Sequence, residues 1–330
     1  MTPKDVIRTR RRTAALLLPV AAAAALLLPA GCSRKEKKFP SKPITVICPP
    51  APGGTSDLVT RTISYYAEKE LGVPVIVVNK TGGAGAVGMS AGAKAKPDGY
   101  TVTYVVVEIA ILPHRGLAPV SYDDFDLLFR INHTPAALTV NSGAPWKSFR
   151  DFAAYAAANP GRIRVGNSGA FSIWHLAAAR LEQSLGTDFL HIPHKGAAPA
   201  VKSLLGGHID AVTVAPAEVQ TNVEAGKLRM LAVLDEERDP NFPDVPAAAE
   251  TGSAVSVGAW GGMAAPKGTP ETVKKTLIEG FRKAYDNPEF QKKMKNQSVR
   301  LGWLDGEDFL AFVREQSEGF RKTIEKLEIR

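Results

Sequence analysis

ITVICPPAPGGTSDLVTRTISYYAEKEL, residues 44–71, reads as a buried strand, a proline- and glycine-rich turn and a helix. Ile44, Val46 and Ile47 form a short β-branched apolar run that Pro49, Pro50 and Pro52 bring to an end. Gly53 and Gly54 permit positive φ and close approach of another backbone. Thr55 or Ser56 is expected to cap the helix, and Asp57 falls in its first turn, where the helix dipole favours a carboxylate. Gly72 is the expected stop. Such a turn leaves backbone N–H groups free at the mouth of a sheet, which suits a small anion. The same spacing also fits a plain strand-to-helix connection in which the glycines serve the turn alone.

Similar units follow. Val73–Asn79 reads as a second buried strand, and Gly83–Gly88 then matches the spacing G-x-G-x-x-G. That motif is weak alone, and the acidic residue a dinucleotide site would need is not evident. A glycine turn into a small-residue helix over 86–95, packed closely on the sheet, is the expectation. Tyr100–Val107 reads as a third strand that ends at Glu108. Asp126–Arg130 and Ala136–Val140 read as two separate strands, and Ser148 with Asp151 as the start of a helix. A short strand at Arg164-Val165 leads into the polar loop Gly166–Ser172 and an amphipathic helix over Ile173–Leu185. Strands at Phe189–Ile192, Ile209–Val214 and Leu228–Leu234 alternate with helices. An extended run at Val255–Ala265 precedes two closing helices, 270–297 with a break at Asn287-Pro288, and 306–327. This alternation argues for α/β layers with largely parallel sheets.

A chain of 330 residues that is 45% hydrophobic can bury one or two real cores. Residues 1–32 carry Lys4, Arg8, Arg10, Arg11 and Arg12 against Asp5, half of the formal net charge of +8. No basic stripe interleaved with aromatics is present, so nucleic acid is not expected as a partner. Those arginines precede the apolar stretch Ala14–Leu28, the pattern of a signal peptide rather than a membrane span. Leu28-Pro29-Ala30-Gly31-Cys32 is similar to a lipobox, with Pro29 where leucine is usual, and Cys32 is the expected lipidated residue. Residues 33–40 form a short tether. Cys48 is then left without a partner and reads as a small buried hydrophobe.

The residues of known chemistries are few. Gly166-Asn167-Ser168-Gly169-Ala170 falls one glycine short of G-x-S-x-G, and no Asp/His pair follows in a hydrolase order. His191 and His194 form a close pair across a strand end with no third metal ligand in view. Asp123, Asp124 and Asp126 read as solvated loop charges. No cofactor is expected. What remains is a set of glycine, serine and threonine loops at strand C-termini, each feeding a helix, where open α/β sheets hold their ligands.

Six ordered motifs carry a resemblance. They are Pro49–Asp57, Pro97–Tyr100, Ser168-Gly169 to His175, Lys195–Ala200, Ala225–Arg229 and Ala265–Pro270. Over residues 39–330 the chain resembles the Bug/TctC family, solute-binding receptors of tripartite tricarboxylate transporters. The resemblance implies a type II periplasmic-binding-protein fold, with two α/β domains joined by two crossovers around a ligand cleft. The expected division is 41–142 with 259–330 as one domain and 143–258 as the other, hinged near Val140–Ala144 and Ser256–Gly262. It also implies carboxylate ligands, and the expectation is a non-catalytic monomer that captures a small carboxylate for membrane transporter subunits. An exported enzyme using the same cleft and a carboxylate sensor are the alternatives.

Matched motif by motif, the resemblance implies ligand contacts at Pro50, Gly53, Gly54, Thr55, Ser56 and Asp57, at Ser168, Gly169, Ala170 and Ser172, and at Gly196. Thr55 and Ser56 are the implied donors to one carboxylate, with Asp57 ordering the helix start or only capping it. His175 matches a family histidine and otherwise serves to pack and cap its helix. Three departures stand out. Ala170-Phe171 replaces a more polar, glycine-rich pair. Val214 stands where many members carry Asp. Glu108 stands where members have small residues, either as a solvated edge charge or facing the cleft toward a donor-rich or cationic group.

Overall fold

The computed structural model describes residues 38–50, 52–116 and 120–328. The signal sequence, Cys32 and most of the tether lie outside the described residues. The first lobe opens with β1 (Ile44–Cys48), α1 (Thr55–Leu71), β2 (Val75–Asn79), α2 (Ala86–Ala93) and β3 (Thr101–Val106), its strands parallel in the order β2-β1-β3. Helix α1 buries Val59, Ile63 and Ala67, one stripe at i, i+4 and i+8, and ends at Gly72 in the left-handed conformation. Helix α2 owes its small residues to close packing. A Cβ on Gly88 would stand 2.5 Å from the Lys80 carbonyl oxygen and 2.9 Å from Pro49 Cα. The glycine run therefore serves the packing of α2 on the Pro49 turn, as expected from sequence.

The chain then crosses through β4 (Phe125–Asn141) into α3 (Phe149–Ala158), β5 (Arg164–Asn167), α4 (Ile173–Leu185), β6 (Leu190–Pro193), α5 (Ala197–Leu205), β7 (Ala211–Val214), α6 (Pro216–Glu224) and β8 (Leu228–Leu234). It returns through β9 (Gly258–Pro266) and closes with α7 (Glu271–Tyr285), α8 (Pro288–Asn296), β10 (Leu301–Asp305) and α9 (Gly306–Glu328). Ser148 and Asp151 form the reciprocal cap expected at the start of α3. Strand β10, which pairs with β4, was not legible in the sequence.

The two strands expected at 126–130 and 136–140 are one. Strand β4 pairs antiparallel with β9 from Phe125 to Pro135, then with β8 and β7 from Ala136 onward. The change of sheet thus falls between Pro135 and Ala136, ahead of Val140–Ala144, where the chain merely turns out of β4. Opposite it, Val257 and Gly258 make the return crossing, within the expected segment. The sheets are mixed rather than largely parallel, because β9 runs against both β3 and β4, and β4 runs against β7.

Strand polarity decides where the loops go. In the first lobe β4 runs the same way as β1–β3, since β9 is antiparallel to both β3 and β4. In the second it runs against β7, and hence against β5 and β6. A single continuous strand therefore points the C-terminal ends of β1–β3 and of β5–β7 at each other across the crossover. This is the two-lobed type II periplasmic-binding-protein arrangement.

Candidate functional site

The loop after β1 presents one wall. Gly53, Gly54 and Thr55 are exposed, and Ser56 is half-buried. Gly54, not Thr55 or Ser56, is the N-cap of α1, and no side chain caps it. Asp57 takes over that work from inside the first turn. Its carboxylate accepts from the Gly53 N–H at 3.0 Å, from Asn79 Nδ2 at 2.9 Å and from Arg61 Nε at 3.0 Å. Asn79 Nδ2 also donates to the Pro50 carbonyl at 3.0 Å. Burial would raise the Asp57 pKa, but the donors from Arg61, Gly53 and Asn79 hold it below the ordinary carboxylate value. Asp57 therefore braces the loop and takes up the Gly53 N–H, and the N–H groups that follow it and the Thr55 hydroxyl are what the loop offers. Ser56 lies beside the buried Tyr104 phenol, which donates to Asn132 Oδ1 at 2.6 Å.

A hollow of about 560 Å³ touches Gly53–Thr55, but Arg61, Lys293 and Gln297 complete it. It is lined by the first lobe alone and is not the gap between the lobes.

Glu108 sits two residues beyond β3, in a 3-10 turn over Val107–Ala110. Val106 pairs with Gly261 of β9, so Glu108 stands near the level of the crossover. The side chain is half-buried, and the hydrogen bond found for its carboxyl is from its own backbone N–H. Desolvation pushes its pKa up to about 7 from an ordinary 4.5. A raised carboxyl favours the fold only while protonated. Its contribution is fully present below about pH 4.5 and is lost as pH rises through about 7. Glu108→Gln is expected to raise the melting temperature by a few degrees at pH 8 and to leave it unchanged at pH 4. The ceiling is about 3 kcal/mol, reduced by the part of the side chain that meets solvent. Equal shifts at both pH values in a thermal melt would remove desolvation as the cause.

The second wall is the loop after β5. Asn167 is fully buried; its Oδ1 accepts the Gly169 N–H at 3.0 Å, and its Nδ2 lacks a partner among the described residues. Ser172 caps α4 by accepting the His175 N–H at 3.2 Å, and Ser168 donates to the Ser172 hydroxyl at 2.9 Å. His175 Nδ1 accepts the Phe171 N–H at 2.9 Å, which places the ring proton on Nε2. Burial, with the His191 ring beside it, lowers the His175 pKa to about 4, so the ring is neutral. His175 therefore organises the loop. Ala170 is exposed, while Gly169 and Gly196 hold positive φ at the starts of neighbouring turns. The His194 N–H donates to the Asn167 carbonyl at 3.1 Å, joining those two turns.

Val214 is fully buried at the end of β7, paired with Ala137. The structure thus gathers the Pro50–Asp57 residues at one wall, Ser168–His175 with Gly196 at the other and Glu108 near the crossover, and it closes Val214 into the core. Sequence reasoning missed Arg115, Asn167 and the pairing of Tyr104 with Asn132. Only Arg115 carried a local signal, a Pro113–Gly116 turn, and nothing in that turn tells which wall it faces.

The profile of the tripartite tricarboxylate transporter receptor family (TctC) matches residues 59–329. A protein of Cupriavidus necator described as "UPF0065 protein in gbd 5'region" is 33% identical over 293 residues, 88% of this chain and 89% of that protein. The crystal structure of a TctC solute-binding protein from Polaromonas, without ligand, superposes with a TM-score of 0.82 at 38% identity, over 87% of this chain and 99% of that one. MatC of Rhodopseudomonas palustris, solved with bound malate, superposes at 0.68 with 27% identity, over 87% of this chain and all of the other.

Proposed function

This chain belongs to the TctC family of tripartite tricarboxylate transporter receptors, and we propose that it captures a small carboxylate between its lobes and hands it to the membrane subunits of such a transporter. The family is one of solute-binding receptors, so the protein is a receptor and not an enzyme. The observation that carries the ligand class is the opposition of two strand-to-helix loops whose acidic member, Asp57, is already consumed internally. What stays available is N–H and hydroxyl donors at helix N-termini, a set that rewards a carboxylate. The malate held by MatC agrees with that class.

Pro50, Gly53, Gly54, Thr55 and Ser56 make one half of the proposed site. Ser168, Gly169, Ala170, Ser172 and Gly196 make the other, with Asp57 and His175 as braces. Glu108 accepts a hydroxyl or other donor of the ligand. The two lobes are 41–142 with 259–330 and 143–258, with the hinge at Pro135–Ala136 and Val257–Gly258. The chain acts outside the cytoplasm as a monomer, held to a membrane by lipid on Cys32.

A thermal-shift screen over mono-, di- and tricarboxylates tests this. Stabilisation that rises with concentration is expected from at least one acid, and that acid should be recovered unchanged. No stabilisation by any acid, or its chemical conversion, would remove the reading. Glu108→Gln should weaken hydroxylated acids relative to their plain counterparts; an unaltered preference takes Glu108 out of the site.

A further inference from the structure

Phe171 has a left-handed backbone, φ 59°, in a residue with a bulky side chain. Such a conformation costs about 1–2 kcal/mol and persists only where neighbours enforce it. His175 supplies the enforcement, through the Phe171 N–H bond and an edge-on ring contact at 5.8 Å. The outcome is a fixed, half-buried ring beside the second loop. Over it lies the Arg115 guanidinium, Cζ 4.2 Å from the ring centre. Arg115 ends a 3-10 turn over Leu112–Arg115, between β3 and β4, so the contact joins the two lobes.

Arg115 is half-buried, and no carboxylate among the described residues pairs with it. The ring contact uses the charge of the guanidinium and none of its N–H donors, which form a rigid planar fork. From that geometry we infer that Arg115 is a specificity-determining residue of the cleft, with Phe171 as its platform, selecting acids that carry a second carboxylate. The inference rests on the carboxylate-receptor reading and deepens it. The loop donors take the first carboxylate. The fork of Arg115 takes the second, two-pronged, without leaving the ring.

Neighbouring charges agree with this assignment. Glu108 occupies the preceding 3-10 turn, where desolvation raises its carboxyl above the ordinary range. No ion pair joins Glu108 and Arg115 among the described residues, which leaves Arg115 for the ligand. His114, the residue before Arg115 in the same turn, is engaged through Nε2 with the Ser317 hydroxyl of α9 at 2.7 Å.

The test is calorimetric titration of the purified protein with malate and adipate, beside 3-hydroxybutyrate and hexanoate as singly charged counterparts. Arg115→Gln should weaken the dicarboxylates about tenfold more than the monocarboxylates. Arg115→Lys, which keeps charge but loses the planar fork, should lose most of that difference too. Phe171→Gly should shift the same ratio in the same direction, because it removes the platform. An unchanged ratio in Arg115→Gln overturns this inference and leaves the receptor reading standing. Wild-type protein that binds the monocarboxylates as tightly as the dicarboxylates also overturns this inference alone, whereas failure of the wider acid screen overturns both.

Discussion

Gly258→Ala lowers the unfolding free energy by about 3 kcal/mol or more, the cost of forcing a methyl group into packed backbone. Gly258 opens β9 opposite Pro135, where the chain passes between lobes. A Cβ there would overlap the Thr134 carbonyl oxygen and lie 2.6 Å from Pro135 Cα. Side chains can rotate away from an intruding methyl, but a paired strand has to move as a unit. The shift would part β9 from β4 at the place where Ala136 donates to the Val257 carbonyl at 2.9 Å. Urea unfolding read by linear extrapolation measures the loss, and a fall in melting temperature of at least about 5 °C should accompany it. Gly143→Ala is the control, since its added methyl would meet nothing nearer than Asn141 Oδ1 at 3.5 Å. Equal stabilities for the two variants would show that the crossover yields more readily than its geometry implies.

Asp235→Ala carries the other large cost, about 3–5 kcal/mol, because it strands a cation that is mostly shielded from water. Asp235 follows β8 as the chain leaves the second lobe. Its carboxylate accepts from Arg300 Nη1 at 2.7 Å and from the Ser256 hydroxyl at 2.8 Å, and His133 Nδ1 lies 3.8 Å away. Burial first, then the cations Arg130 and Arg300, hold the His133 pKa below its ordinary value despite Asp235. With the histidine neutral, Asp235 is the buried acid that balances Arg300; Glu237 reaches it only from the surface, at 3.7 Å. Asp235→Asn should cost less, since an amide oxygen can still accept from Arg300 and Ser256 while the charge is lost. Because Arg300 precedes β10 in one lobe and Asp235 ends the other, both variants should also change ligand affinity without touching ligand. Urea unfolding and ligand titration on the same samples check this. A loss below about 1 kcal/mol in Asp235→Ala would mean that water already shares the Arg300 charge.

Much of this protein was decided locally and could be read without a structure. The β-branched run at Ile44–Ile47, the left-handed stop at Gly72 and the Ser148–Asp151 cap each depend on a few neighbouring residues, so their spacing suffices. The two loops of the candidate site were legible for the same reason, as was their family likeness. The tertiary structure decided what depends on partners distant in sequence. Apolar periodicity cannot show that one strand serves two sheets, so β4 read as two strands, and only its ladders place the change at Pro135–Ala136. Charge type cannot tell a bracing acid from one held apart: Asp57 was drawn inward by Asn79 and Arg61, while the Glu108 carboxyl bonds its own backbone N–H. Arg115 and Phe171 stand 56 positions apart in the chain. Their meeting across the gap follows from strand polarity and one enforced backbone angle, neither of which a linear pattern encodes.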